Sequence, residues 1–538
     1  MQLNKKRNYL SLAFLVFILF LILLTRFAYL QLSPPSPYWE EVALGYDAYS
    51  IAETLRDHHG HFLPLVAFES FGDFKPSLYF YVLAPFVKIL GLNVLAVRLP
   101  TILASILLIF GVAVLAKTLA LNFYYKNQSK LANYIFYLAL FLSTISPWLL
   151  SFSRSAWEST LATTLVVWGV NFWLFFVVKN QTKWAVFSTF LLSLSTYAYH
   201  ANRVSVPLFA LCLIFFYWRQ NKVNLNYKAL LISGLSALII FAPVALALLG
   251  QSGQQRIAET SIFNDLSIIE ASNEQIASHG KTFWSRLIYH RYVFFTREVV
   301  LNFASHFSFS YLFVSGDGNP RHSIQSFGEF YYLDLIFFIF ALFFLFSKKN
   351  SINLLLLAYL MIMILPAAFT KAVPHALRTL SAWPVFMVFL TFGIWQMLNL
   401  FKNIKTRKFL TIGIVLLYSF FFANFFKQLI FVYPNQYKQE WQFGYEAMVK
   451  EVARVQNNYQ KVYISREQGR PAMYYFFYNQ IDPKIVQDFA QHAKKDQGEF
   501  LNFANLEFVD KFDQLDSQKN SLLVRLKEDK TWEFYEVK

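Results

Sequence analysis

The sequence predicts an all-α polytopic membrane protein with about eleven spanning helices, closed by a small C-terminal α/β domain. Three observations predict it. The chain is 56% hydrophobic and only 15% charged, against about 45–50% apolar and roughly 25% charged in soluble chains. Too few charges exist to clothe a water-facing exterior. Apolar runs of the length a bilayer asks for, about 20 residues, recur between residues 8 and 431. Beyond residue 431 the chain turns to mixed charge and short alternating segments. The expected division is therefore 1–431 in the membrane and 432–538 as a separate extracytoplasmic domain.

The runs fall at 8–30, 97–116, 132–150, 157–178, 184–199, 204–218, 229–249, 331–346, 352–369, 379–399 and 409–431. The first is too long for the apolar core of a signal peptide and no small-residue cleavage site follows it, so it reads as a retained helix. The net charge of +16 would suggest nucleic acid in a soluble chain. Here the positive residues cluster in short segments between apolar runs, so they report topology, and no nucleic-acid partner is expected. The single cysteine, Cys212, lies inside an apolar run and excludes an intrachain disulfide.

One further apolar stretch, 77–92 (SLYFYVLAPFVKILGL), contains Pro85 and Lys88 and is short for a span. With this stretch lying on the membrane surface, the segments assigned to the cytoplasm carry seventeen basic residues. The short outer segments then carry Arg154, Arg203, Lys371 and Arg378. Letting 77–92 span would reverse that bias, so it is read as an interfacial amphipathic helix in the first outer loop. Loops 31–96 and 250–330 and the tail 432–538 are then external. The tail offers a helical stretch (EWQFGYEAMVKEVARV), a strand (KVYIS) and a terminal hairpin (SLLVRLKEDKTWEFYEV).

The ionisable residues sit at the outer ends of the spans, whose middles are almost free of them. A secondary transporter needs such groups near the bilayer midplane; an enzyme acting on a lipid headgroup needs them at the interface. In the first outer loop, Glu40 and Glu41 follow Trp39 and open an amphipathic helical pattern. Neighbouring carboxylates point apart, so one suits a general base and the other an orienting or metal-binding group. The plainer reading is that acids favour a helix's first turn through its dipole. Lys75, before Pro76, sits where its ammonium can meet a phosphate or simply snorkel. His58, His59 and His61 suggest a metal but lack an obvious fourth ligand, and solvated loop histidines are the simpler account. No cofactor is identified from the sequence; a divalent metal stays open.

In SPWLLSFSRSAWESTL, Arg154 and Glu158 are spaced to share a helix face, as an ion pair or as a phosphate grip beside a reacting sugar. Further outer ends carry His200 and Arg203 (STYAYHANRVSVP), Asp317, Arg321 and His322 (GDGNPRHS), and Lys371, His375 and Arg378 (TKAVPHALR). Outward arginines run against the positive-inside trend, and an anionic substrate supplies a reason for them.

The succession WEEVALGYDAYSIAETL, LPLVAFESFGDFKPSLYFYVLAPFVKILGLN and VRLPTILASI resembles the GT-C membrane glycosyltransferases. The resemblance is to the bacterial branch similar to protein O-mannosyltransferases and lipid A aminoarabinose transferases. SPWLLSFSR, STYAYHANR and PHALR fit it too, over roughly residues 8–430. It implies a GT-C-like fold in the cell membrane. It also implies transfer of a sugar from a polyprenyl-phosphate donor to a lipid, glycan or protein acceptor on the outer face, with inversion. The family's Asp-Glu pair, whose aspartate is the base, aligns with Glu40-Glu41, a departure that lengthens the reach by one methylene. Its lysine before proline falls on Lys75 and its second-loop acid on Glu158. The catalytic candidates are Glu40, Glu41 and Glu158. The donor-phosphate candidates are Lys75, Arg154, Arg203, Arg321, His322, His375 and Arg378. A transporter or flippase of lipid-linked sugars and a non-catalytic scaffold are the alternatives.

Overall fold

The computed structural model describes residues 2–70, 73–250, 253, 260–496, 498–512 and 520–537. Each of the eleven predicted runs falls mainly on one helix, and the run 132–150 also reaches a second, Pro147–Phe152. The main helices are α1 (Gln2–Phe27), then Val94–Leu119, Ser129–Ile145, Glu158–Lys179, Thr182–Ser195 and Asn202–Gln220, followed by Tyr227–Leu249, Tyr332–Ser347, Ser351–Ala368, Trp383–Asn399 and Ile404–Lys427. By length and composition, six helical stretches among the described residues can cross a membrane. They are Val94–Tyr124, Glu158–Lys179, Tyr227–Leu249, Ser351–Ala368, Ala376–Asn399 and Ile404–Gln436. Three more of the predicted runs hold shorter apolar helices, Leu12–Phe27, Ser129–Ile145 and Tyr332–Ser347.

The chain divides into two compact units. The first comprises 1–28, 104–152 and 159–428. Its helices differ in what they face. Trp383–Asn399 is buried along nearly its whole length, whereas Ile404–Lys427 leaves Phe409, Leu416 and Phe420 exposed. Water would penalise that apolar surface; a bilayer does not, which is why a helix apolar all round is stable there. Helix–helix contact in lipid relies on small residues that let backbones approach. At Gly393 a β-carbon would collide with the backbone of Phe337 and Ala341 on the neighbouring helix.

Loop 250–330 contains helices that hydrophobic periodicity did not suggest: Leu266–Ser278, Phe283–Ile288 and Arg291–Ser305. Their starts are capped by Asp265, Thr282 and His290, whose side chains accept backbone N–H groups two or three residues on. Those caps are the sequence signal for these helices.

The second unit comprises 29–103, 153–158 and 429–538. It holds α2 (Trp39–Thr54), a hairpin of β1 (Ala67–Ser70) and β2 (Asp73–Pro76), α3 (Leu78–Leu90), and the C-terminal elements. The expected amphipathic α2 is corrected. It is buried without a break from Glu41 to Ala48, because helices Pro471–Tyr478 and Pro483–Ala490 cover the side the sequence left for water. Tyr46 donates to the carbonyl of Ile481 (2.9 Å), and Gln487 donates to Ser50 (2.9 Å) and Thr54 (2.7 Å). By contrast α3 is one-sided: Tyr79, Phe80 and Leu83 are buried while Ile89 is 80% exposed.

In the C-terminal part the expected helix, strand and hairpin are present as Tyr445–Val455, Lys461–Ser465, and Ser521–Leu526 with Trp532–Val537. They join a five-stranded sheet in which Lys461–Ser465 is central and parallel to both Leu506–Val509 and Ser521–Leu526. The two extra helices begin with Pro471 and Pro483 at their first position, and Asp482 caps the second by accepting from Lys484 (2.9 Å).

Candidate functional site

In the second unit, α2 starts immediately after the chain's first helix and loop, and its first turn carries both glutamates. They separate by role. The carboxylate of Glu41 turns inward and receives a two-pronged grip from Arg98, Nε to Oε1 and Nη2 to Oε2, both at 3.0 Å. Arg98 spends its other donors on the carbonyls of Leu30 (3.2 Å), Pro34 (3.3 Å) and Ser36 (3.1 Å). Glu41 also accepts from the backbone of Ala156 (2.8 Å) and Tyr38 (3.4 Å). With side chains 1% and 4% exposed, the pair ties three stretches of backbone to the start of α2. A buried ion pair is tolerable only when its remaining donors and acceptors are met, as here. Arg98 was absent from the sequence candidates. An ionisable residue at the end of an apolar run was the signal for it.

Glu40 faces outward and meets Lys75, Nζ to Oε1 at 2.6 Å. The Glu40 side chain is 28% exposed and that of Lys75 10%. Lys75 reaches it because β2 pairs with β1 in a register that sets Lys75 opposite Phe68. Its ammonium also lies 5.6 Å from the centre of the Trp39 ring, and the guanidinium of Arg470 lies 5.2 Å from it. Two cations on one indole concentrate positive charge beside a half-buried carboxylate. The unit thus brings Glu40, Glu41 and Lys75 together, and adds Arg98, Trp39 and Arg470.

Arg154 belongs to the same unit. It is buried, its Nε donates to the carbonyl of Ser33 (3.0 Å), and burial together with nearby Arg98 lowers its pKa to about 9. Glu158, also buried, is the first residue of its helix, and Arg154 lies in the bend before it. The shared helix face expected for these two therefore does not exist, because the helix starts four residues later than the spacing assumed. The three loop histidines take separate partners. His58 Nδ1 lies 2.7 Å from Asp47, His61 Nδ1 lies 2.9 Å from Asp57, and Lys495 meets His59 Nδ1 at 3.0 Å. Burial of His59 pushes its pKa down, so it stays neutral as the acceptor of that lysine.

The remaining candidates lie in the first unit. Arg203 is buried and donates from Nε to the carbonyl of Thr196 (3.1 Å). Arg378, in the short helix Ala376–Thr379, donates to Thr370 (2.6 Å). Arg321 donates from Nε to Asn319 (3.3 Å). His322 and His375 come together around Asp317: the rings are 4.7 Å apart, and their Nδ1 atoms stand 3.0 and 3.6 Å from Asp317 Oδ2. Glu329 is buried alongside, accepting the backbone N–H of Asp317 (3.2 Å). Burial and the Asp317 charge push its pKa well above the usual carboxylate range.

No family model and no curated protein matches the sequence. Solved structures do match in shape. The chain is similar to ArnT from Cupriavidus metallidurans bound to undecaprenyl phosphate, with a TM-score of 0.53 at 12% identity over 95% of this chain and 93% of that one. It is also similar to the archaeal oligosaccharyltransferase AglB from Archaeoglobus fulgidus, in complex with an inhibitory peptide and a dolichol-phosphate. There the TM-score is 0.50 at 11% identity over 83% of this chain, which spans 58% of that one's length. The chain shares the fold of these two structures, the GT-C fold.

Proposed function

We propose that this chain, which has the GT-C fold, is a membrane glycosyltransferase that moves a sugar from a polyprenyl-phosphate donor to an acceptor on the outer face. The observation that carries the reading is the contact of Glu40 with Lys75 at the start of α2, a carboxylate and an ammonium joined at 2.6 Å beside Trp39. Glu40 is the general base. It takes the proton of the acceptor hydroxyl as that oxygen bonds to the anomeric carbon. The bond from that carbon to the phosphate oxygen breaks, and polyprenyl phosphate departs with the electron pair. Displacement from the opposite side inverts the anomeric centre. General-base help of this kind is typically worth about 10²–10⁴-fold.

An ammonium has three donor directions, so Lys75 can hold Glu40 and a phosphate oxygen together. That keeps the base ionised and offsets the charge growing on the leaving group. Glu41, locked on Arg98, positions the turn that presents Glu40 and is a positioning residue in this reading. Glu158 is the reserve candidate for the base. Arg154, in the same unit as Glu40 and Lys75, is proposed to contribute to the phosphate side, with a guanidinium suited to two-pronged contact.

The neighbours' printed ligands, undecaprenyl phosphate and a dolichol-phosphate, support a lipid-linked donor here. The near absence of ionisable residues from the span middles favours this reading over a transporter. The test uses the purified full chain with a radiolabelled polyprenyl-phosphate sugar and membrane extract. Label should move to acceptor material while free polyprenyl phosphate appears in equal amount; donor flipping in vesicles without cleavage would favour the transporter. Orientation is checked separately. Reporter fusions at residues 125, 222 and 404 should read cytoplasmic, and those at 270 and the C-terminus external; a cytoplasmic C-terminus would overturn the topology.

A further inference from the structure

We propose that Arg470 is a positioning residue for the transfer: it clamps the Trp39 ring and so fixes the first turn of α2, which presents Glu40. The inference lies within the second unit, rests on the transferase reading of that turn, and gives a residue of the C-terminal part a role in the reaction. The guanidinium carbon of Arg470 lies 5.2 Å from the centre of the Trp39 ring, and Lys75 Nζ lies 5.6 Å from it. Of the aromatic side chains, an indole attracts a cation most strongly.

The backbone at Arg470 is held in an unusual shape to make this contact. Its φ of 65° and ψ of 33° are left-handed, a conformation that strains any residue with a β-carbon and would not strain glycine. Pro471 follows and restricts the residue before it further. Neighbouring groups hold the turn: Gly469 donates its N–H to the carbonyl of Arg466 (2.7 Å) and accepts from the hydroxyl of Tyr445 (2.8 Å). Gln442 donates from Nε2 to the carbonyl of Gln468. Strain retained at a non-glycine residue points to a use for its side chain. That side chain donates from Nη1 to Glu499 (3.1 Å), a carboxylate only 2% exposed, which fixes the guanidinium beside Trp39.

Gln442 ties the same turn to the backbone of Trp39. While Nε2 holds Gln468, Oε1 accepts the N–H of Trp39 (3.0 Å) and the hydroxyl of Tyr474 (2.8 Å). The first N–H groups of a helix have no partner within it, and here the C-terminal part supplies one. Trp39 is thus held at its amide and at its ring, and Glu40 is the next residue. Lys75, joined to Glu40 at 2.6 Å, faces the same ring, so a shift of the indole disturbs both members of the pair. A misplacement of about 1 Å at a reacting group can cost ~10²-fold in rate. A residue that never touches substrate can therefore govern turnover.

The test uses the full chain in detergent with a radiolabelled polyprenyl-phosphate sugar, and reads turnover beside hydrogen exchange of the Trp39, Glu40 and Glu41 amides. Arg470→Met should lower kcat at least ~10-fold, leave KM for the donor within about 2-fold of wild type, and speed that exchange. Arg470→Lys keeps a cation for the ring and should recover most of both losses. In a Trp39→Leu background, itself slow, Arg470→Met should cost less than ~2-fold more, since residues that act through one contact are not additive. Losses that multiply in the double variant overturn the proposal, and so does first-turn exchange that Arg470→Met leaves at the wild-type rate. If the melting temperature shows that Arg470→Met has lost its fold, Trp39→Leu, which leaves Arg470 on Glu499, must reproduce both effects or the proposal fails. A wild type that moves no label, yet whose exchange depends on Arg470, would sink the transferase reading while supporting the clamp.

Discussion

Glu40→Gln in the full-length chain is expected to lower turnover by about 10²-fold or more, with apparent affinity for the lipid-linked donor nearly unchanged. The amide keeps the shape and a hydrogen bond to Lys75, which lies 2.6 Å away, but has no basic oxygen to take a proton. Stability should move little, since an ion pair that is part exposed contributes at most about 1 kcal/mol. Glu40→Asp probes the departure from the family pattern. The shorter side chain must either leave Lys75 or leave the acceptor, so Asp should fall below wild type if the site has adjusted to glutamate. Turnover of Glu40→Gln near the wild-type value, measured with purified donor and acceptor, removes Glu40 as base and makes Glu158 the next residue to replace.

Arg98→Ala should have the largest effect on stability. It strands a Glu41 carboxylate whose remaining partners are the backbone amides of Ala156 and Tyr38. Breaking a buried pair by deleting one partner costs about 3–5 kcal/mol. The change should appear as a large drop in melting temperature in detergent and in the amount of folded protein in membranes. Replacing both partners, Glu41→Leu with Arg98→Met, should recover only part of the loss. The carbonyls of Leu30, Pro34 and Ser36 would still lack the donors that Arg98 gives them. A double variant as stable as wild type would mean that the backbone contacts of Arg98 carry little weight. The two experiments are complementary, because adjacent glutamates are expected to fail in different assays.

The apolar helices were legible because lipid imposes one simple demand, a long apolar run, and ten of the eleven runs hold one main helix while 132–150 breaks into two at Ser146. The start of α2 was legible from the acidic pair that follows Trp39. What could not be read was burial supplied from far away. The polar side of α2 looked ready for water, yet its cover begins at Pro471. Glu40 and Lys75 were both named from sequence, but their contact depends on a β1–β2 hairpin that no alternation announced. The sequence expects Glu41 to orient the loop, but its partner, Arg98, stands at the edge of a predicted span. The gathering of His322 and His375 on Asp317 joins positions that share no helical or strand period. Arg154 shows the opposite error, a spacing that looked helical where the backbone bends.

The cover over α2 also sets a schedule for the protein's manufacture. Trp39 donates its N–H to Gln442, and the hydroxyl of Tyr474 donates to the carbonyl of Pro37, 437 positions earlier. At about 5–20 residues per second, a ribosome needs ~20–90 s to travel between those two ends. For that interval every nascent copy has delivered Glu40 without the segments that enclose its helix. A message cut before the codon for Tyr474 would yield a chain with all its apolar helices and an unfinished α2. Synthesis to the far end is thus built into the assembly of α2.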